Sequence, residues 1–238
     1  MNTPNDFGLQ GELPTHPLLL DWLASELIEG GWRLKPLHKK IVMSATYLQS
    51  SGYNVAKMKA DPLNKLHWRR TPTRLQAEVI RDSLLEMSGL LDTRMYGAGT
   101  LDERMKRRSI YFMIKRSRLI PTMQLFDSPE PLVSQGSRPS TIIAPQALHF
   151  MNNAQVREAA VALAGQFEKK TEDGDAISLA YQTVVGREPT ISEKKSITAF
   201  MNVQAESYQA GGRKDARKLA LADLVQVLFG LNEFIYVN

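Results

Sequence analysis

The sequence predicts a mainly α protein, an irregular multi-helix domain with one short two-stranded β element. Three observations predict it. Apolar residues recur at helical spacing through most of the 238 residues. Proline, glycine and capping residues punctuate those stretches where helices should start and stop. Only one run, Ser109 to Lys115, is apolar on both faces and rich in strand-forming residues. The apolar fraction of 43% beside 23% charged residues is that of a globular chain with a real core. The expected organisation is helical hairpins plus the β element over 1–150, with a C-terminal helical subdomain over 151–238 packed on it.

The opening is loop-like, punctuated by Pro4, Gly8, Gly11 and Pro14. A first helix begins near Thr15 and Pro17 and carries an apolar stripe from Leu19 to Ile28 that ends at Gly30-Gly31; Trp22 broadens the face expected to be buried. A second runs from about Pro36 to Gln49, with Leu37, Ile41, Ala45 and Leu48 in register, and the two should pair as a hairpin. Residues 51–72 are irregular. Thr73 to Ser88 reads as a third helix, stopped by Gly89. Tyr96 to Thr100 is a loop, and the Ser109 to Lys115 strand is expected to pair with Ser140 to Ala144. Helices follow over Pro145 to Met151, Asn153 to Lys170 and Ala176 to Val185. In TISE, Thr190 and Glu193 form a capping box that opens the next helix. The helix from Asp215 to Phe229 is apolar nearly all round and should be central.

The absence of cysteine excludes disulfides, thiolate metal sites, thiol nucleophiles and covalent haem attachment within this chain. No window reaches the roughly 18 apolar residues of a membrane span, and the first residues do not read as a signal peptide. The net charge is +5. Seven cations and no acid lie between Arg104 and Arg118, a local +7 that leaves −2 for the rest of the chain.

Four segments carry a family resemblance: TPNDFGLQGELPTHPLLLDWLASELIEGGW, RRSIYFMIKRSRLIPTMQLFDSPEP, SRPSTIIAPQALHFMNN and ALADLVQVLFGLNEFIYVN. AYQTVVGREPTISE adds to them. In this order the chain resembles a planctomycete-specific domain of unknown function, the C-terminal domain that accompanies planctomycete-type cytochrome c modules. The resemblance implies no established activity. It implies an extracytoplasmic setting, haem only on a partner domain and no cofactor in this chain, and an upstream segment around an Asn-Arg-aromatic motif that this sequence lacks.

Three groups of residues are candidate sites. Arg104, Arg107, Arg108, Lys115, Arg116 and Arg118, with Lys106, are anion-binding candidates, although charges flanking a buried strand commonly serve only to keep its edge from pairing. Arg108, Asp127 and Arg138, at positions that match the family pattern, are candidates for structural ion pairs in which an arginine held by a carboxylate locks a turn. Asp6, His16 and Asp21 form a polar constellation in the first motif. Its plainer account is a turn, a helix start and a solvated acid near a helix N-terminus, and no metal site is expected. His38, His67 and His149 stand alone. Gln146, Asn152 and Glu233, set among apolar residues, are expected to cross-link the C-terminal helix to the middle of the domain.

The functional expectation is a non-catalytic binding or scaffolding module of an extracytoplasmic, cytochrome-associated multidomain protein, with an upstream or partner protein domain as its partner. Two readings compete with it. One is part of a polysaccharide-acting, redox-coupled enzyme that takes acidic polysaccharide; the other is anion or nucleic-acid binding through the 104–118 cluster. Nucleic acid is the weakest partner, since no recognition motif accompanies the charge.

Overall fold

A computed structural model describes residues 3–6, 8–168 and 173–237, with side chains of the last segment described from 176 onward. The mainly helical class is borne out: twelve α-helices are present among the described residues, with one two-stranded antiparallel sheet. The chain divides into two compact units, one of residues 1–73 with the short segment 135–137, the other of 74–134 and 138–237. Position 150 lies in the second unit, inside a helix.

The first unit holds α1 (Pro17–Glu29), α2 (Leu34–Val42), α3 (Ala45–Leu48) and α4 (Val55–Ala60). Proline in the first turn of α1 costs no hydrogen bond there. His16, not Thr15, takes the N-cap position, and its ring stacks on His67 with centroids 5.1 Å apart. The helix expected to run to Gln49 is broken after Val42. The Ser44 hydroxyl bonds back to the Ile41 carbonyl and also accepts from the Tyr47 amide, so it caps α3 as a separate turn. α1 and α2 pair as a hairpin, closed by Lys40 on Glu26 and over the Trp22 ring. No described residue before Thr73 is buried; Trp22 itself is 47% exposed, so it covers no core.

The second unit holds the core. β1 (Thr73–Arg74) pairs with β2 (Tyr236–Val237), and the Leu75 amide donates to the Ile235 carbonyl. α5 therefore starts only at Ala77 and runs to Met87. Gly89, at φ +68°, stops it in the left-handed region that glycine adopts freely. α6 (Pro121–Leu125), α7 (Ala144–Asn152), α8 (Ala154–Glu168) and α9 (Asp173–Val185) follow, then α10 (Ile191–Ala210), α11 (Ala216–Phe229) and α12 (Asn232–Ile235). The Thr190–Glu193 capping box opens α10 as its sequence requires. α11 packs chiefly against α8 and α10. Ala160, Ala220 and Ala222 are wholly enclosed, small enough to let the helices approach closely around Leu224, Val225, Leu228 and Phe229.

The expected pairing of Ser109–Lys115 with Ser140–Ala144 is corrected. Ser109–Tyr111 forms a 3₁₀ turn and no strand, and the sheet lies instead between β1 and β2. The reason is local. The Asp82 carboxylate accepts from both the amide and the hydroxyl of Ser109, at 2.8 and 2.6 Å, and bends the chain there. The run is apolar on both sides because Phe112 packs against the core while Ile110, Met113 and Ile114 stay open.

Candidate functional site

α5 is amphipathic. Ala77, Ile80, Arg81, Leu84 and Leu85 are buried, so the opposite stripe, Glu78, Val79, Asp82, Ser83, Glu86 and Met87, faces outward. That stripe forms one wall of a cleft of about 850 Å³ within the second unit. The facing wall is the 108–114 segment, and Leu119, Ile120 and Met123 floor it. Met87, Met113 and Met123 line it together, giving a deformable apolar surface. Ile110 and Ile114 are 75% and 78% exposed, so the lining is open rather than collapsed core.

The adjacent residues Arg81 and Asp82 hold the facing wall in place. Arg81 is buried, lies over the Phe112 ring and donates to the carbonyls of Met105 and Arg107 and to the Ser109 hydroxyl. Asp82 fixes Ser109 as described. A buried arginine requires such saturation. Sequence reasoning missed this pair. The signal was present, because the 77, 80, 84, 85 periodicity puts position 81 on the buried face.

The cleft rim carries charge of both signs. Glu78 and Arg138 form an ion pair at 2.7 Å. Glu86 and Arg108, both exposed, have no ion pair or hydrogen bond among the described residues.

The predicted basic cluster is dispersed. Arg107 turns inward, stacked 3.5 Å over Tyr111 and donating to carbonyls of the 94–98 loop, Tyr96 among them. Lys106 pairs with Glu158. Arg108 is on the cleft rim. Lys115 and Arg118 close a tight turn around exposed Arg116. Arg104 and Arg118 line a second cavity of about 540 Å³ that shares Leu119 and Ile120 with the cleft. That cavity is not acid-free: Asp102 and Glu103 line it too, holding the Arg104 amide and Thr122 respectively.

Of the ion-pair candidates, Asp127 takes Arg74 at 2.5 Å, not Arg108, and Arg138 takes Glu78. Asp127 sits in the left-handed region at φ +59°, which a short polar side chain tolerates, and also accepts from the amide and hydroxyl of Thr141. Burial pushes its carboxyl up, but the bonds from Thr141 and Arg74 outweigh that and hold it below the usual range. Asp6, His16 and Asp21 are not brought together as a metal site. Asp6 accepts from Gly8 in a turn, Asp21 lies on α1, and no cluster of three metal-binding side chains occurs among the described residues.

Gln146 is buried and ties the carbonyls of Leu125 and Thr141. Glu233 pairs with Arg187, which also grips Glu193. Gln226, which sequence reasoning did not single out, ties α11 to the end of α7 through the Phe150 and Met151 carbonyls. His149 meets Phe126 and Phe150 edge-on, and burial lowers its pKa.

Chemically, this arrangement holds rather than transforms. Of the three carboxylates on the α5 wall, two are engaged by structural partners, and the cleft is lined by no lysine or histidine. No curated protein and no solved structure matches the chain. Residues 1–201 match the family described as PSD1, Protein of unknown function (DUF1553), and with most of its length inside that match the chain belongs to this family.

Proposed function

We propose that the chain is a non-catalytic binding module whose cleft holds an apolar segment of a partner protein domain. The observation that carries this reading is the cleft: an open, methionine-lined apolar trough with unpaired charges of opposite sign on its rim. The lone aromatic among its lining residues, Phe112, has its ring covered by Arg81, which favours a protein segment over a saccharide that needs an open stacking face. The family resemblance supports setting the module in an extracytoplasmic, cytochrome-associated multidomain protein specific to planctomycetes, acting as a scaffold beside a haem-bearing partner.

A photoreactive side chain in place of Met113 tests it in cells that make the protein, with the same group at Ile191, 92% exposed on α10, as control. Position 113 should cross-link to one mapped segment of a protein, and Ile110→Glu with Ile114→Glu should abolish that adduct while leaving the fold intact. Adducts to polysaccharide, or equal adducts from positions 113 and 191, would overturn the reading.

A further inference from the structure

We infer that the first unit is a peripheral docking surface for an anionic lipid bilayer. This inference stands apart from the cleft and rests on the residues of α2 to α4 and the loop that follows. Between Arg33 and Arg70 the sequence carries nine cations against one acid, a net +8, which leaves −3 for all other residues. Even that acid, Asp61, is occupied, accepting from the amides of Lys65 and Leu66. Of the nine cations only Lys40 has a carboxylate partner among the described residues. Arg69 lies over Trp68 and Arg70 over Tyr47, contacts that leave their charge uncompensated.

Charge alone would suit any polyanion, and the apolar residues of the same stretch decide between partners. α2 segregates Leu34, Leu37 and Ile41 from Lys35 and Lys39 around its circumference. Beyond it Met43, Leu48, Val55 and Leu66 are each about two-thirds exposed or more, and Trp32 is 71% exposed. A nucleic acid or sulfated chain gives such side chains nothing to enter. A bilayer surface with anionic headgroups accepts both, with the apolar groups at the acyl boundary, the cations among the headgroups, and tryptophan and tyrosine at the interface. No helix among the described residues is long and apolar enough to cross the membrane, so the contact is peripheral.

All three tryptophans, Trp22, Trp32 and Trp68, lie in this unit, so intrinsic fluorescence reports on it alone. The test is sedimentation of the full chain with phosphatidylcholine vesicles, with and without phosphatidylglycerol, while tryptophan emission is recorded. Binding should require phosphatidylglycerol, weaken as salt rises, and shift emission to the blue. Lys35→Gln, Lys39→Gln and Lys57→Gln should each weaken partitioning about fivefold. Met43→Ser with Leu48→Ser should weaken it and abolish the blue shift, at unchanged far-ultraviolet dichroism. Arg104→Gln with Arg118→Gln should change neither.

Three results would overturn the inference. One is no binding to either vesicle. Another is binding to heparin or duplex DNA as tight as to vesicles and indifferent to the serine pair, which makes the surface a polyanion site. A third is loss of vesicle binding in the Arg104 and Arg118 variant alone. None of these touches the cross-linking outcome at position 113, so the two readings fail separately.

Discussion

The two units use apolar residues in opposite ways. In the second, long helices α8, α10 and α11 bring leucine, valine and phenylalanine together until many are wholly enclosed. In the first, α2, α3 and α4 are nine, four and six residues long and bury nothing. Helices that short are marginal in water unless packing supports them. The lesson is that apolar content alone does not make a core. Length and an unbroken stripe let one helix cover another, while prolines, glycines and hydroxyl caps cut the first unit into pieces whose apolar sides stay open.

This contrast predicts a wide spread of mutational effects. Phe229→Ala, at a fully buried position of α11, should cost about 3–5 kcal/mol in denaturant unfolding. A similarly severe truncation in the first unit, Leu48→Ala at 70% exposure, should stay within about 0.5 kcal/mol. Equal costs would erase the distinction. Arg81→Met comes next. It strips Asp82 and three oxygen acceptors of a buried donor, and should cost about 3 kcal/mol and loosen the cleft wall, read as faster amide exchange at Ser109.

Acid effects within the second unit are smaller and sharpen the comparison. Asp127 has a folded-state pKa below its unfolded value, so its bonds to Arg74 and Thr141 contribute fully above the unfolded value. That contribution fades as pH falls below it. Asp127→Asn should lower the melting temperature near neutrality and flatten its decline in acid. Glu193 is held down to about 2, first by Arg187 and then by the Thr190 amide and hydroxyl. Stability from the α10 cap should therefore be intact above the ordinary glutamate range and disappear as pH approaches about 2. Glu193→Gln should melt lower than the parent at neutral pH and converge with it in strong acid; a gap of constant size would remove the assigned pairing.

Local signals were legible in the sequence. Pro17 at a helix start, Gly89 and Gly186 after helix ends and the Thr190–Glu193 box act over a few residues and appear where expected. The sheet was not legible, since β1 and β2 lie at opposite ends of the second unit and two residues each carry no periodicity. Ser109–Lys115 misled because a segment between a core and an open cleft has the same two-sided apolar pattern as a buried strand. The Arg74–Asp127 pair joins residues 53 positions apart, so only the fold discloses it. The charge between Arg33 and Arg70 was countable but not contiguous, spread over helices and loops, whereas the denser 104–118 run drew attention and proved dispersed.

The most direct test of this contrast is amide hydrogen exchange of the full chain, residue by residue. Amides of α8, α10 and α11 should exchange only through global unfolding, while those of α2 to α4 exchange through local opening orders of magnitude faster. Equal, global protection in both units would contradict the account, because it would require the first unit to possess the core that its exposed side chains deny.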